Sequence, residues 1–118
     1  MKPVLCIIAS PPSASAKVAE QLEAALVTAA FDMPTSILFR DEGVYCLLPN
    51  QQQATTGRRN VGKMLQGLAT YDIEHVYVCQ DSIAQRRINV DQLAIATQPL
   101  DFAAQMELLA AQQVVLGG

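Results

Sequence analysis

The chain has 118 residues and a mass of 12.7 kDa, the size of one ordinary domain, so two independent cores are not expected. It is 51% hydrophobic and only 16% charged, against about 25% charged in an average domain, which excludes a disordered chain and predicts a buried partner interface. A formal charge of -3 and a pI near 4.9 remove the basic field that drives phosphate-backbone binding, and with it direct, autonomous nucleic-acid binding.

Pro3–Ala9 is a short continuous apolar run rich in β-branched residues, the pattern of a strand buried on both faces of a parallel sheet, and is expected as the first and central strand. It is too short to span a bilayer or to serve as a signal-peptide core, which predicts a cytoplasmic protein with no membrane contact. Ser10-Pro-Pro-Ser-Ala-Ser15 supplies turn and capping chemistry for a helix from Ala14 to Phe31, with Val18, Leu22, Ala25, Leu26 and Ala29 on its inner stripe. Thr35–Phe39 reads as the second strand, closed by Arg40-Asp-Glu-Gly43. Val44–Leu48 reads as a turn of helix stopped by Pro49, and residues 50–56 as a polar loop. Val61, Met64, Leu65 and Leu68 are spaced as the buried stripe of a helix over about 55–69, weakened by Gly62 and Gly67. Then follow a third strand (His75–Cys79), a short helix (Ser82–Arg87), a fourth strand (Leu93–Thr97), a helix from Asp101 to Ala111 capped by Asp101, and a last strand (Gln113–Leu116). Strands alternating with helices predict an α/β fold, a five-stranded, mostly parallel sheet between two helical layers with right-handed crossovers, in one domain over residues 1–118.

In such sheets reactions take place at the carboxyl ends of the strands, so the informative residues are Ser10, Asp41, Cys79 and Gln98. A receiver domain would need an acidic pair after the first strand, and none is present. The first strand-to-helix loop carries Pro11 and Pro12 in place of a glycine cradle, so no flavin or nucleotide cofactor is expected. One histidine, His75, and scattered carboxylates do not make a metal site. Cys6, Cys46 and Cys79 form no C-x-x-C pair and no disulfide framework. Cys6 falls in mid-strand and reads as packing, whereas Cys46, in its apolar turn beside a small basic group of Arg58, Arg59 and Lys63, reads as packing at a subunit contact, with sulfur handling as the alternative. Cys79 differs: it ends a strand where a helix begins, a place where oriented N–H groups favour a thiolate able to carry sulfur as a persulfide, although Asp81 opposes the charge.

Three stretches together resemble the TusC/DsrF family of sulfur-relay subunits within the wider DsrE/F-like group. They are Phe39-Arg-Asp-Glu-Gly-Val-Tyr-Cys-Leu-Leu-Pro49, Tyr71-Asp-Ile-Glu-His-Val-Tyr-Val-Cys79, and Leu5-Cys-Ile-Ile-Ala-Ser-Pro-Pro12 leading into an Ala-rich helix. The resemblance covers nearly the whole chain. It implies a three-layer α/β fold and a heterohexamer with TusB-like and TusD-like sister subunits, which takes up persulfide sulfur from an upstream carrier and passes it on. The route ends at 2-thiouridine at the transfer-RNA wobble position in the Tus branch and in sulfur oxidation in the Dsr branch. It also implies that the principal sulfur-carrying cysteine lies on the TusD- or DsrE-type sister, and that Cys79 stands at the corresponding place here. Cys46 departs from the pattern, where a polar residue is expected. The low charge and the apolar run Gly43–Leu48, a liability on a monomer's surface, agree with a subunit. The competing readings are a free-standing flavodoxin-like small-ligand binder and a self-sufficient thiol enzyme. His75 makes a poor base for the latter, because ends four residues apart along a strand are separated by roughly 13 Å.

Overall fold

A computed structural model describes residues 3–49, 61–73 and 75–117. Five strands, β1 (Val4–Ile8), β2 (Thr35–Phe39), β3 (His75–Cys79), β4 (Gln98–Leu100) and β5 (Val114–Gly117), form one sheet in the order β4-β3-β2-β1-β5. Every pairing is parallel. The central strand is therefore β2, not β1, which lies one place from the β5 edge. Among the described residues four α-helices accompany the strands: α1 (Ser15–Ala30), α2 (Val61–Gln66), α3 (Gln80–Gln85) and α4 (Phe102–Ala110).

The strand order explains how the helices divide. From β1 to β3 the chain steps one way across the sheet, and right-handed crossovers put α1 and α2 on one face; the return from β4 to β5 steps the other way and puts α4 on the opposite face. The α1 face holds the larger core, where Cys6, Ile8, Ile37, Phe39, Val76 and Val78 meet Val18, Leu22, Ala25 and Ala29 of α1 and Leu65 of α2. The α4 face buries only Leu5, Ile7 and Leu38, under Tyr77, Leu108 and Leu109. Because successive strand residues alternate between faces, Leu5, Leu38, Tyr77 and Cys79 belong to the α4 side.

The helical stripe expected for α1 is buried as read, with Leu26 packed at its margin. Its expected serine cap is absent: the helix starts after a 3-10 turn (Pro12–Ala14), so Ala14 occupies the cap position with no side-chain acceptor. Of the helix expected over 55–69, the first part lies outside the described residues, as do the polar loop, Arg58 and Arg59. The rest ends at Gln66, and Gly67 passes the chain into a second 3-10 turn, Leu68–Tyr71. Asp101 caps α4, its carboxylate accepting from the Ala104 N–H at 2.8 Å.

Two further expectations are corrected. Leu93–Thr97 is not a strand. A 3-10 turn at Val90–Gln92, closed by a capping box between Asn89 and Gln92, delivers the Ala94 N–H to the Leu47 carbonyl at 2.7 Å, and Leu93 and Ile95 pack on the main core. Pairing with β3 begins only at Gln98, opposite Tyr77, and Pro99 is tolerated because β4 is an edge. The apolar run Gly43–Leu48 is not a surface patch either. It belongs to a seven-residue 3-10 segment, Asp41–Leu47, whose Val44, Cys46 and Leu47 are buried in the core. Exposed large apolar residues lie elsewhere, among them Val27 on α1 and Phe31 at its C-cap, Phe102 and Met106 on α4, and Val114 and Val115 on β5. Among the described residues no helix is long and apolar enough to cross a membrane.

Candidate functional site

The carboxyl edge of the sheet is shaped by the Asp41–Leu47 segment. The Arg40 N–H continues the ladder to the Ile8 carbonyl at 3.0 Å, Asp41 turns with φ 51°, and Gly43 then lies directly against β1. A Cβ on Gly43 would stand 2.7 Å from the Ile8 carbonyl carbon and nearer still to its oxygen, so only glycine allows this approach. Cys46 of the same segment gives its thiol hydrogen to the Ser10 carbonyl at 3.5 Å.

The three thiols are free and have different surroundings. Cys6 donates to the Gln21 carbonyl at 3.5 Å, and burial pushes its pKa up to about 11. Burial pushes Cys46 to about 12, against a smaller opposing contribution from a backbone hydrogen bond. Both are protonated packing residues; Cys6 packs as its mid-strand position indicates, whereas Cys46 packs inside the chain's own core and not at a subunit contact.

Cys79 is half-buried, ends β3 and occupies the cap position of α3. Partial burial raises its proton affinity, but donors from the Ser82 and Gln105 side chains and from the Ser82 and Asp81 backbone outweigh it, holding the thiol below its ordinary pKa. They converge on the sulfur without any one closing a regular capping bond. Asp81 therefore contributes its N–H, while its carboxylate lies in solvent. Only Cys79, of the three, combines access with a stabilised thiolate.

The supporting residues are fixed from several sides. Ser82, 4% exposed, accepts the Asp41 N–H on its hydroxyl oxygen at 2.9 Å, tying the 3-10 segment to α3. Gln105, 6% exposed, reaches from α4 and donates its amide N–H to the Leu100 carbonyl at 3.0 Å, and Leu100 is the β4 residue paired with Cys79. Turning the amide over would set oxygen against oxygen, so its nitrogen is held on the Cys79 side. Arg86 donates to the Ser82 carbonyl at 3.1 Å and lies 5.8 Å over the Tyr45 ring. Beside it, Glu42, Tyr45, Gln85 and Arg86 line a shallow polar hollow of 320 Å³.

Of the strand-end residues expected at the site, Cys79 and Asp41 are brought together through Ser82. Ser10 instead accepts from Cys46, and Gln98 opens β4 rather than following a strand. His75 stands exposed at the far end of β3, stacked on Tyr77 with ring centroids 6.2 Å apart, so it is no base for Cys79. Among the described residues no three of His, Cys, Asp and Glu converge as metal ligands would. Sequence reasoning missed Ser82, which its spacing three residues after Cys79 at a helix start could have revealed. Gln105 carried no such signal, since only the fold brings α4 to β3.

Known proteins share this architecture and sequence. The crystal structure of the ychN protein from E. coli superposes with a TM-score of 0.84 over 98% of both chains at 16% identity, a likeness of fold. A TusC homologue from Vibrio vulnificus is 38% identical over 84 residues, 71% of each chain, and TusC from Escherichia fergusonii is 30% identical over 117 residues, 98% of each chain. The intracellular sulfur oxidation protein DsrF from Allochromatium vinosum is 36% identical over 74 residues, 63% of this chain and 54% of its own. Residues 2–116 match the DsrE/DsrF-like family, and with TusC and DsrF proteins among its relatives this chain belongs to that family.

Proposed function

We propose that this protein is a sulfur-relay subunit that assembles with two homologous sisters, one TusB-like and one TusD-like, and that the relay serves 2-thiouridine formation at the transfer-RNA wobble position. The kinship with TusC and DsrF proteins supports the relay. Large apolar side chains left in solvent on α1, α4 and β5 support a partner-bound state.

Within the assembly, Cys79 is the atom on this subunit that holds sulfur. The carrying observation is its setting: an accessible thiol whose proton affinity neutral donors lower, beside two thiols that burial keeps protonated. The Cys79 thiolate attacks the terminal sulfur of a donor persulfide. The donor's S–S bond breaks, the donor leaves as a thiolate, and a new Sγ–S bond carries the sulfur. One zero-valent sulfur moves and no outside oxidant or reductant is consumed.

Co-expression with both sisters followed by size-exclusion chromatography tests the assembly: one mixed complex is expected, and a monomer that ignores both would refute it. Incubation with a persulfide donor should add one sulfur mass to the wild type and none at this position in Cys79→Ser, which preserves volume. Undiminished 2-thiouridine formation by the Cys79→Ser complex would reduce Cys79 to packing and leave the subunit assignment standing.

A further inference from the structure

The residue that follows the central strand is an arginine, Arg40, whose chemistry is otherwise unused. In the β2–β3 ladder Leu38 is opposite Tyr77 and Phe39 opposite Val78, so the next step places Arg40 opposite Cys79. Arg40 is still extended, with φ -145° and ψ 168°, and its N–H stays on β1, so the two residues share the α4 side of the sheet. Adjacent strands lie about 4.8 Å apart, well within an arginine side chain's reach. A second observation is independent of the register: the Arg40 Nε–H is buried with no hydrogen-bond partner. An unmet buried donor on a cation costs stability and persists where something else satisfies it. At this edge of the sheet that group would be an anion.

We propose that Arg40 is the anion-binding residue of the Cys79 site and receives the negatively charged terminal sulfur of a persulfide. This inference rests on the reading of Cys79 as a sulfur carrier and adds the group that selects a charged sulfur over a neutral thiol. The surrounding elements leave Arg40 this role. Asp41 and Glu42 are exposed beyond it on the 3-10 segment, and Asp81 is exposed on α3. Arg86, at the C-cap of α3, is engaged with the Ser82 carbonyl and Tyr45. On α4, Asp101 is committed to its cap and Glu107 faces solvent. Ser82 and Gln105 then supply neutral donors and Arg40 the charge.

The test compares wild type, Arg40→Gln, Arg40→Lys and Cys79→Ser, loaded with a small-molecule persulfide and followed by mass spectrometry across pH and salt. Arg40→Gln should load roughly threefold to tenfold more slowly at neutral pH, with the difference shrinking as salt is added, while Arg40→Lys recovers part of the rate. Melting separates this role from a structural one. Loss of an unsatisfied buried donor should leave the melting temperature of Arg40→Gln unchanged or raised, so a lowered melting temperature would overturn the proposal. Loading at Cys79 that is equal in Arg40→Gln and wild type would also overturn it while leaving Cys79 as the carrier. Loading that persists in Cys79→Ser would instead remove the carrier reading on which it stands.

Discussion

At the scale of single residues, the three cysteines show how position in one sheet sets reactivity. Cys6 and Cys46 face the main core and Cys79 the strand end, so native protein at pH 8 treated with iodoacetamide should gain one label, at Cys79, and three after denaturation. The buried pair also makes stability depend on pH. Unfolded thiols ionise near pH 8.5, whereas Cys6 and Cys46 hold their protons to about 11 and about 12, so the unfolded state loses protons first. Their contribution is complete below about pH 8.5 and falls above it by up to roughly 1.4 kcal/mol per pH unit for each thiol. Urea midpoints measured between pH 7 and 10 should decline accordingly, and Cys6→Ala should remove one thiol's share of the slope.

At the scale of elements, the two ends of the Cys79 site are held by different devices. The 3-10 segment is seated by Gly43. Gly43→Ala drives a methyl into the Ile8 carbonyl and should cost about 2 kcal/mol or more, a fall in Tm of roughly 8 °C. Gly67→Ala is the control, because its Cβ would meet nothing nearer than 3.6 Å at an ordinary backbone angle, and melting should shift little. The position of α4, and with it Gln105, depends on the Asp101 cap. Asp101→Ala should cost about 1 kcal/mol and raise the Cys79 pKa slightly as Gln105 loosens, readable from the pH profile of alkylation.

At the scale of the whole molecule, the strand order leaves one face of the sheet with a single covering helix among the described residues and sets β5 at an edge with Val114 and Val115 exposed. Apolar side chains also stand out on both helical layers, Phe31 at 76% exposure at the end of α1 and Phe102 at 67% on α4. Such residues add little to the isolated fold. Phe31→Ser and Phe102→Ser should each change the urea-unfolding free energy by less than about 0.5 kcal/mol, yet lower the fraction of chain that co-elutes with its sisters.

By itself the sequence determined what local patterns can encode. Thr35–Phe39 and His75–Cys79 are strands at the expected bounds, α1 buries its expected stripe, Asp101 caps α4, and Cys79 stands out because a strand end meeting a helix start is visible in a short window. Tertiary structure decided whatever depends on which distant segments meet. Val44–Leu47 went into the core because Gly43 lets its segment lie on β1, and Leu93–Thr97 lost its pairing because the Leu47 carbonyl and the core claimed it first. The placement of Leu100 beside Cys79, and of Gln105 within reach of its sulfur, follows from the order of strands and the side taken by each crossover. These are long-range properties, because alternation along a strand fixes which residues share a face but not which strand lies alongside.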